Sequence, residues 1–67
     1  MDFSENLKNE LKWQGITQVE LAKALNIPKT TVNGWIKNRG CPNLKQFYQL
    51  CYVLRISADE LLGIEFH

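Results

Sequence analysis

What this sequence has little of sets most of its limits. Histidine occurs once, as His67, and cysteine twice, as Cys41 and Cys51. Small secreted scaffolds that depend on disulfides carry more cysteines than this, so reduced thiols and a cytoplasmic setting are expected. Cys41, Cys51 and His67 are too few for a metal site, and their spacing matches no zinc signature. No nucleophile stands beside a paired base, and there is neither a carboxylate dyad nor a glycine-rich phosphate loop. Catalysis, a cofactor and a small-molecule substrate are therefore not expected. No apolar run approaches the ~18 residues of a membrane span, and the start, MDFSENLKNE, is acidic where a signal peptide is basic and then apolar. With four glycines and two prolines, no stretch is biased toward disorder or low complexity. What is there, 67 residues at 45% hydrophobic, suits one small soluble domain over residues 1–67. A chain of this size buries about 60% of its unfolded surface.

Acid is also missing, but only from the middle. The net charge of +1 is unevenly distributed: residues 1–20 sum to −2 and residues 59–67 to −3. Between Leu21 and Ala58 there is no acidic residue, while Lys23, Lys29, Lys37, Arg39, Lys45 and Arg55 contribute +6. Such sorting predicts a positive face on the folded chain.

Helix start and stop signals recur every 10 to 15 residues and no strand pattern competes with them. They predict an all-α fold, a five-helix bundle with helices over about 3–14, 18–25, 29–37, 44–54 and 58–62. Asp2 or Ser4 can cap the first helix, whose stripe is Phe3, Leu7 and Leu11 and which Gly15 ends. Thr17-x-x-Glu20 is a capping box opening the second, with Val19, Ala22 and Leu25 as its inner face and Asn26 closing it in the left-handed conformation. Pro28 suits the start of the third helix, only three or so residues later. There Val32, Trp35 and Ile36 point inward, leaving Lys29, Thr30, Asn33, Gly34 and Lys37 toward solvent. That outer face is basic or amide-bearing and includes a glycine, which costs about 1 kcal/mol against alanine in a helix interior. Asn43 with Gln46 caps the fourth helix, whose inner stripe is Leu44, Phe47, Leu50, Cys51 and Leu54. Ser57 with Glu60 forms a third capping box before Leu61, Leu62 and the terminating Gly63.

Taken in order, Thr17-Gln18-x-Glu20-Leu21-Ala22, Leu25-Asn26-Ile27, Val32, Trp35, Pro42-x-Leu44 and Ser57-x-Asp59-Glu60-Leu61-Leu62-Gly63 resemble the helix-turn-helix domain of Cro and the phage repressors, the XRE family. The likeness covers nearly the whole chain. It implies a lambda-repressor-like bundle and a sequence-selective transcription regulator of double-stranded DNA, such as a phage-like repressor. In that family the third helix enters the major groove and the second crosses the phosphate backbone. Gln18 matches the glutamine that grips a phosphate and supports the first residue of the third helix. Lys29, Thr30, Asn33 and Gly34 match positions that meet base edges. Lysine can donate to guanine O6 and N7, asparagine can pair with adenine N6 and N7, and the threonine methyl can meet a thymine methyl. Lys37, Asn38 and Arg39 match phosphate-contacting positions.

Several residues depart from the family pattern. At Gly34 either the backbone approaches DNA closely or one reading contact is absent. Where the family often joins the first and third helices by a buried Arg–Glu pair, this chain has Leu11 and Ile36, which are expected to touch in the core. Pro28 replaces a capping serine or threonine, and Arg55 replaces a left-handed glycine, so that the fourth helix is expected to end differently. Trp13, Tyr48 and Tyr52 read either as partly covered core edges or as an interaction patch. Such domains often pair through later helices or the tail, making Tyr48, Tyr52, Ile64 and Phe66 a candidate homodimer surface and an inverted-repeat operator the matching DNA. The alternative function is a protein-interaction module on the same fold with DNA reading lost. The ending Gly63-Ile64-Glu65-Phe66-His67 suits a whole protein and the N-terminal piece of a longer repressor alike.

Overall fold

A computed structural model of the chain describes residues 3–63, and over these it is all-helical. The elements are α1 (Phe3–Gln14), α2 (Gln18–Leu25), α3 (Lys29–Ile36), α4 (Leu44–Leu54) and α5 (Ala58–Leu62). Asp2, Ile64, Phe66 and His67, to which the sequence reading gave roles, lie outside the described residues. None of the described helices is long and apolar enough to cross a membrane.

Leu7, Leu11, Leu21, Leu25, Val32, Trp35, Leu50, Leu54 and Leu61 are buried in one cluster to which every helix contributes. Helix α2 packs on α3 and α4, while α1 packs on α3 and α5. Leu11 is 5% exposed, and Ile36 packs against the same cluster partly buried, so both positions where the family often carries the ion pair face the apolar core here. Polar side chains tie helix ends to α1. Asn6 Nδ2 donates to the Leu61 carbonyl at 3.1 Å, and Gln14 Nε2 donates to the Leu54 carbonyl at 2.6 Å. These are carbonyls from last turns, which have no partner within their own helices.

Ser4 corrects the first expected cap. It lies inside α1 and is buried, with Oγ 2.7 Å from the carbonyl oxygens of both Trp35 and Ile36. The hydroxyl therefore secures the C-terminal end of α3 to α1 instead of capping its own helix.

Thr17 and Glu20 form the expected box: the Glu20 N–H donates to Thr17 Oγ1 at 3.1 Å and the Thr17 N–H to Glu20 Oε1 at 2.9 Å. The Thr17 backbone N–H and then its hydroxyl hold the Glu20 carboxyl below the usual carboxylate range. Asn26 closes α2 at φ 57. The inner face, however, is Leu21, Ala22 and Leu25, and Val19 is 42% exposed. At about 100° per residue, Val19 sits well over a quarter-turn from the centre of the Leu21, Ala22 and Leu25 arc. In a helix of eight residues the i+3 row through Val19 competes closely with the i+4 row through Leu21.

Asn43 and Gln46 exchange both bonds of their box, at 2.8 and 3.0 Å. Leu44 is not part of the inner stripe; it is 85% exposed and shares the outer side of α4 with Tyr48 and Tyr52, at intervals of four. Tyr48, Tyr52 and Trp13 are themselves 71%, 78% and 85% exposed, which removes the core-edge reading. At α5 only half of the expected box forms: the Glu60 N–H donates to Ser57 Oγ at 3.2 Å, without the return bond.

Helix α4 ends in the family manner after all. Arg55 takes φ 55, ψ 45, and the Ile56 N–H reaches back to the Cys51 carbonyl. Closing those bonds requires the left-handed turn whichever residue occupies it. Because that conformation costs an L side chain about 1 kcal/mol or slightly more, Arg55→Gly is expected to raise stability by roughly 1 kcal/mol. A thermal melt by circular dichroism should show the midpoint rising about 4–8 °C, and a fall would contradict a strained cap.

Candidate nucleic-acid interface

Three residues, Asn26, Ile27 and Pro28, join α2 to α3. The left-handed turn at Asn26 directs the chain sharply round, and Ile27 anchors the corner against the core. Pro28 holds the N-cap position with extended backbone and no side-chain cap, leaving the first amides of α3 without that partner. Val32 and Trp35 fix the inner side of α3, so its opposite side must face outward.

On that outer side Lys29 and Thr30 are exposed, and Asn33 and Gly34 are half-buried. Together with Arg39 these residues line a concavity of about 360 Å³. The four positions matched to base-edge contact are thus gathered in one recess. Lys37 and Asn38 are exposed at the end of α3 and do not line it. Helix α3 stops at Ile36, with Lys37 as its C-cap, one residue sooner than expected.

Arg39 was expected among the phosphate contacts alone, and its place in the recess follows from backbone geometry. Asn38 adopts φ 59, which turns the chain back so that the Arg39 N–H donates to the Gly34 carbonyl at 2.8 Å. The signal was present in Asn38-Arg39-Gly40, since asparagine tolerates the left-handed region better than most residues. The other unforeseen feature is the partner of Gln18. Its Oε1 accepts from Asn33 Nδ2 at 3.2 Å, so the glutamine supports the fifth residue of α3, where support of the first was expected.

Electrostatics favour an anionic occupant. Among the described residues Lys29, Lys37 and Arg39 form no ion pair, and the sequence around them from Leu21 to Ala58 lacks acid. Gly34 adds open space, because a Cβ built there meets nothing within 4 Å. Neither packing nor backbone conformation within the fold calls for glycine there. Tyr48 and Tyr52 belong to a separate outer surface on α4, and Ile64 and Phe66 are not among the described residues.

A short helix, a tight corner and a second helix presenting an acid-free outer face are the parts of a helix-turn-helix unit. The helix-turn-helix family model matches residues 7–61, and the chain belongs to that family. Among curated proteins it is similar to the HTH-type transcriptional activator BcrR of Enterococcus faecalis, at 29% identity over 65 residues. That alignment covers 97% of this chain and 32% of the relative, so the chain spans about a third of that protein's length. Among solved structures it resembles a transcriptional regulator from Listeria innocua, with TM-score 0.87 and 27% identity over 98% of this chain and 62% of the other. It also resembles the SOS-response transcriptional repressor LexA from Eubacterium rectale, with TM-score 0.85 and 26% identity over 97% and 72% of the respective chains.

Proposed function

We propose that this chain is the DNA-binding unit of a cytoplasmic transcription regulator of the phage-repressor type, acting by binding alone. Helix α3 would lie in the major groove of double-stranded DNA with α2 across the backbone. The observation that carries this reading is the recess on α3, where Lys29 and Arg39 stand without ion pairs beside Thr30, Asn33 and Gly34. Lysine and arginine supply charge for phosphates and donors for guanine, and the amide and the threonine methyl supply further base-edge contacts. Gln18, Lys37 and Asn38 flank the recess as phosphate contacts.

A homodimer on an inverted repeat completes the reading. Leu44, Tyr48 and Tyr52 form an exposed stripe on α4. Leu44 also borders an apolar groove of about 410 Å³ lined with Phe3, Pro42, Phe47 and Leu62. Contiguous apolar surface of this kind marks protein contact. Two copies with recognition helices roughly 34 Å apart would meet half-sites one DNA turn apart. The same stripe is what favours the second reading, a protein-interaction module.

Fluorescence anisotropy of a labelled random-sequence duplex pool, titrated at several salt concentrations, separates the two. DNA binding gives a log affinity that falls linearly with log salt, with a slope of roughly −0.9 per neutralised phosphate. No binding even at low salt would discard the DNA reading and direct attention to protein partners of α4.

A further inference from the structure

We propose that Gln18 is a positioning residue that makes Asn33 a selective reader on α3, with a preference for adenine, while the first turn of α3 reads tolerantly. The proposal rests on the DNA-binding reading above and adds to it where along α3 the discrimination lies.

The starting observation is the hydrogen bond from Asn33 Nδ2 to Gln18 Oε1, which links α3 to the first residue of α2. Both side chains are half-buried, so the bond is partly shielded from competing water. Among the described residues neither Lys29 nor Thr30 has a side-chain hydrogen bond or an ion pair. Among the described side chains lining the recess, Asn33 alone is held by a side-chain hydrogen bond to a second helix. A side chain already fixed loses less freedom when a partner binds, and its donor and acceptor directions are set beforehand. Lys29, with three rotatable donors on a flexible stem, acts as a point charge and tolerates several acceptor arrangements.

The residual valence of the amide decides the base. An asparagine amide has two N–H donors and one carbonyl oxygen, and the bond to Gln18 consumes one donor. One N–H and Oδ1 remain side by side. Adenine offers the complement on its major-groove edge, N7 as acceptor and N6–H as donor. Guanine offers N7 and O6, both acceptors, and would set O6 against Oδ1. Cytosine presents a donor without an adjacent acceptor. Turning both amides over together still leaves Asn33 with a free donor and a free acceptor lone pair, so the preference does not depend on which way the pair is set. Gly34, next along the helix, places no side chain in the recess to obstruct the approach.

The test selects bound sequences from a random duplex pool, with parent and variants compared by sequencing and each variant first checked for folding by a circular dichroism melt. The parent should show one position in each half-site where adenine is preferred by roughly 5- to 150-fold, the range for one bidentate pair. Asn33→Ala should flatten that position and no other. Gln18→Leu, which removes the support, should weaken the preference at the same position. Gln18→Glu can still accept from Nδ2, so it should retain the preference while lowering affinity for all sequences, because it sets a negative charge beside the backbone. The proposal is overturned if the parent's adenine position survives Asn33→Ala, or if Gln18→Glu loses the preference as fully as Gln18→Leu. Salt-dependent binding that persists with no adenine position tracking Asn33 rejects this assignment alone. Absence of salt-dependent binding rejects both it and the DNA-binding reading.

Discussion

Leu11→Arg is expected to leave much of the chain unfolded at room temperature. Leu11 is 5% exposed and lies in the main cluster, and none of the buried groups around it carries charge. Stranding an unpaired charge in such a place costs about 3–5 kcal/mol, while a fold of this size has only about 3–10 kcal/mol in total. A thermal melt should show a midpoint lower by at least ~12 °C, taking 4 °C as the smallest shift per kcal/mol for a small domain. Ile36→Glu added to Leu11→Arg should recover part of the loss, because α1 packs on α3 and the two positions belong to one apolar cluster. Equal midpoints for parent and single variant would mean that Leu11 is not core. A double variant no better than the single one would mean that the two side chains do not meet. Replacement of a buried ion pair by two apolar residues is neutral or favourable only when both change together.

The second large effect is on binding. Lys37→Ala combined with Arg39→Ala removes two exposed, unpaired cations at the end of α3. If each neutralises one phosphate, the slope of log affinity against log salt becomes shallower by about 1.8. The single variants should differ in kind. Arg39 lines the recess with Lys29, Thr30, Asn33 and Gly34, the residues proposed to meet base edges, and Lys37 does not. Arg39→Ala should therefore also change which sequences are retained from a random pool, whereas Lys37→Ala should weaken binding to all of them alike. Anisotropy titrations over a salt series measure the slope. An unchanged slope in the double variant would place the phosphate contacts elsewhere.

Local features were legible in the sequence, because their causes span a few residues. The boxes at Thr17 with Glu20 and at Asn43 with Gln46, the left-handed Asn26 and the uncapped Pro28 each depend on neighbours within one turn. Where two helical rows competed the reading failed, as at Val19 and Leu44, since short helices supply too few residues to choose between an i+3 and an i+4 stripe. Arg55 was misjudged because side-chain preference was weighed above the carbonyls that α4 must satisfy. Contacts between distant residues were out of reach. Ser4 meets carbonyls 31 and 32 residues away, and Gln18 meets Asn33 across 15 residues. No periodicity in the sequence encodes either. The outer face of α3 was legible as a set of residue types, but its shape was not: Asn38 signals a left-handed turn, yet that the turn brings the Arg39 N–H to the Gly34 carbonyl is seen only in the fold.

The empty space at Gly34 bears on how proteins of this kind diverge. A Cβ introduced there would meet nothing within 4 Å and would improve helix propensity, so the scaffold itself tolerates alanine at this position. If binding requires glycine at 34, that requirement is set by the bound partner and not by the fold. Under the DNA-binding reading, a new target would lift that requirement, and replacement at 34 beginning with alanine would be a short mutational route from one recognition preference to another at no cost to the fold.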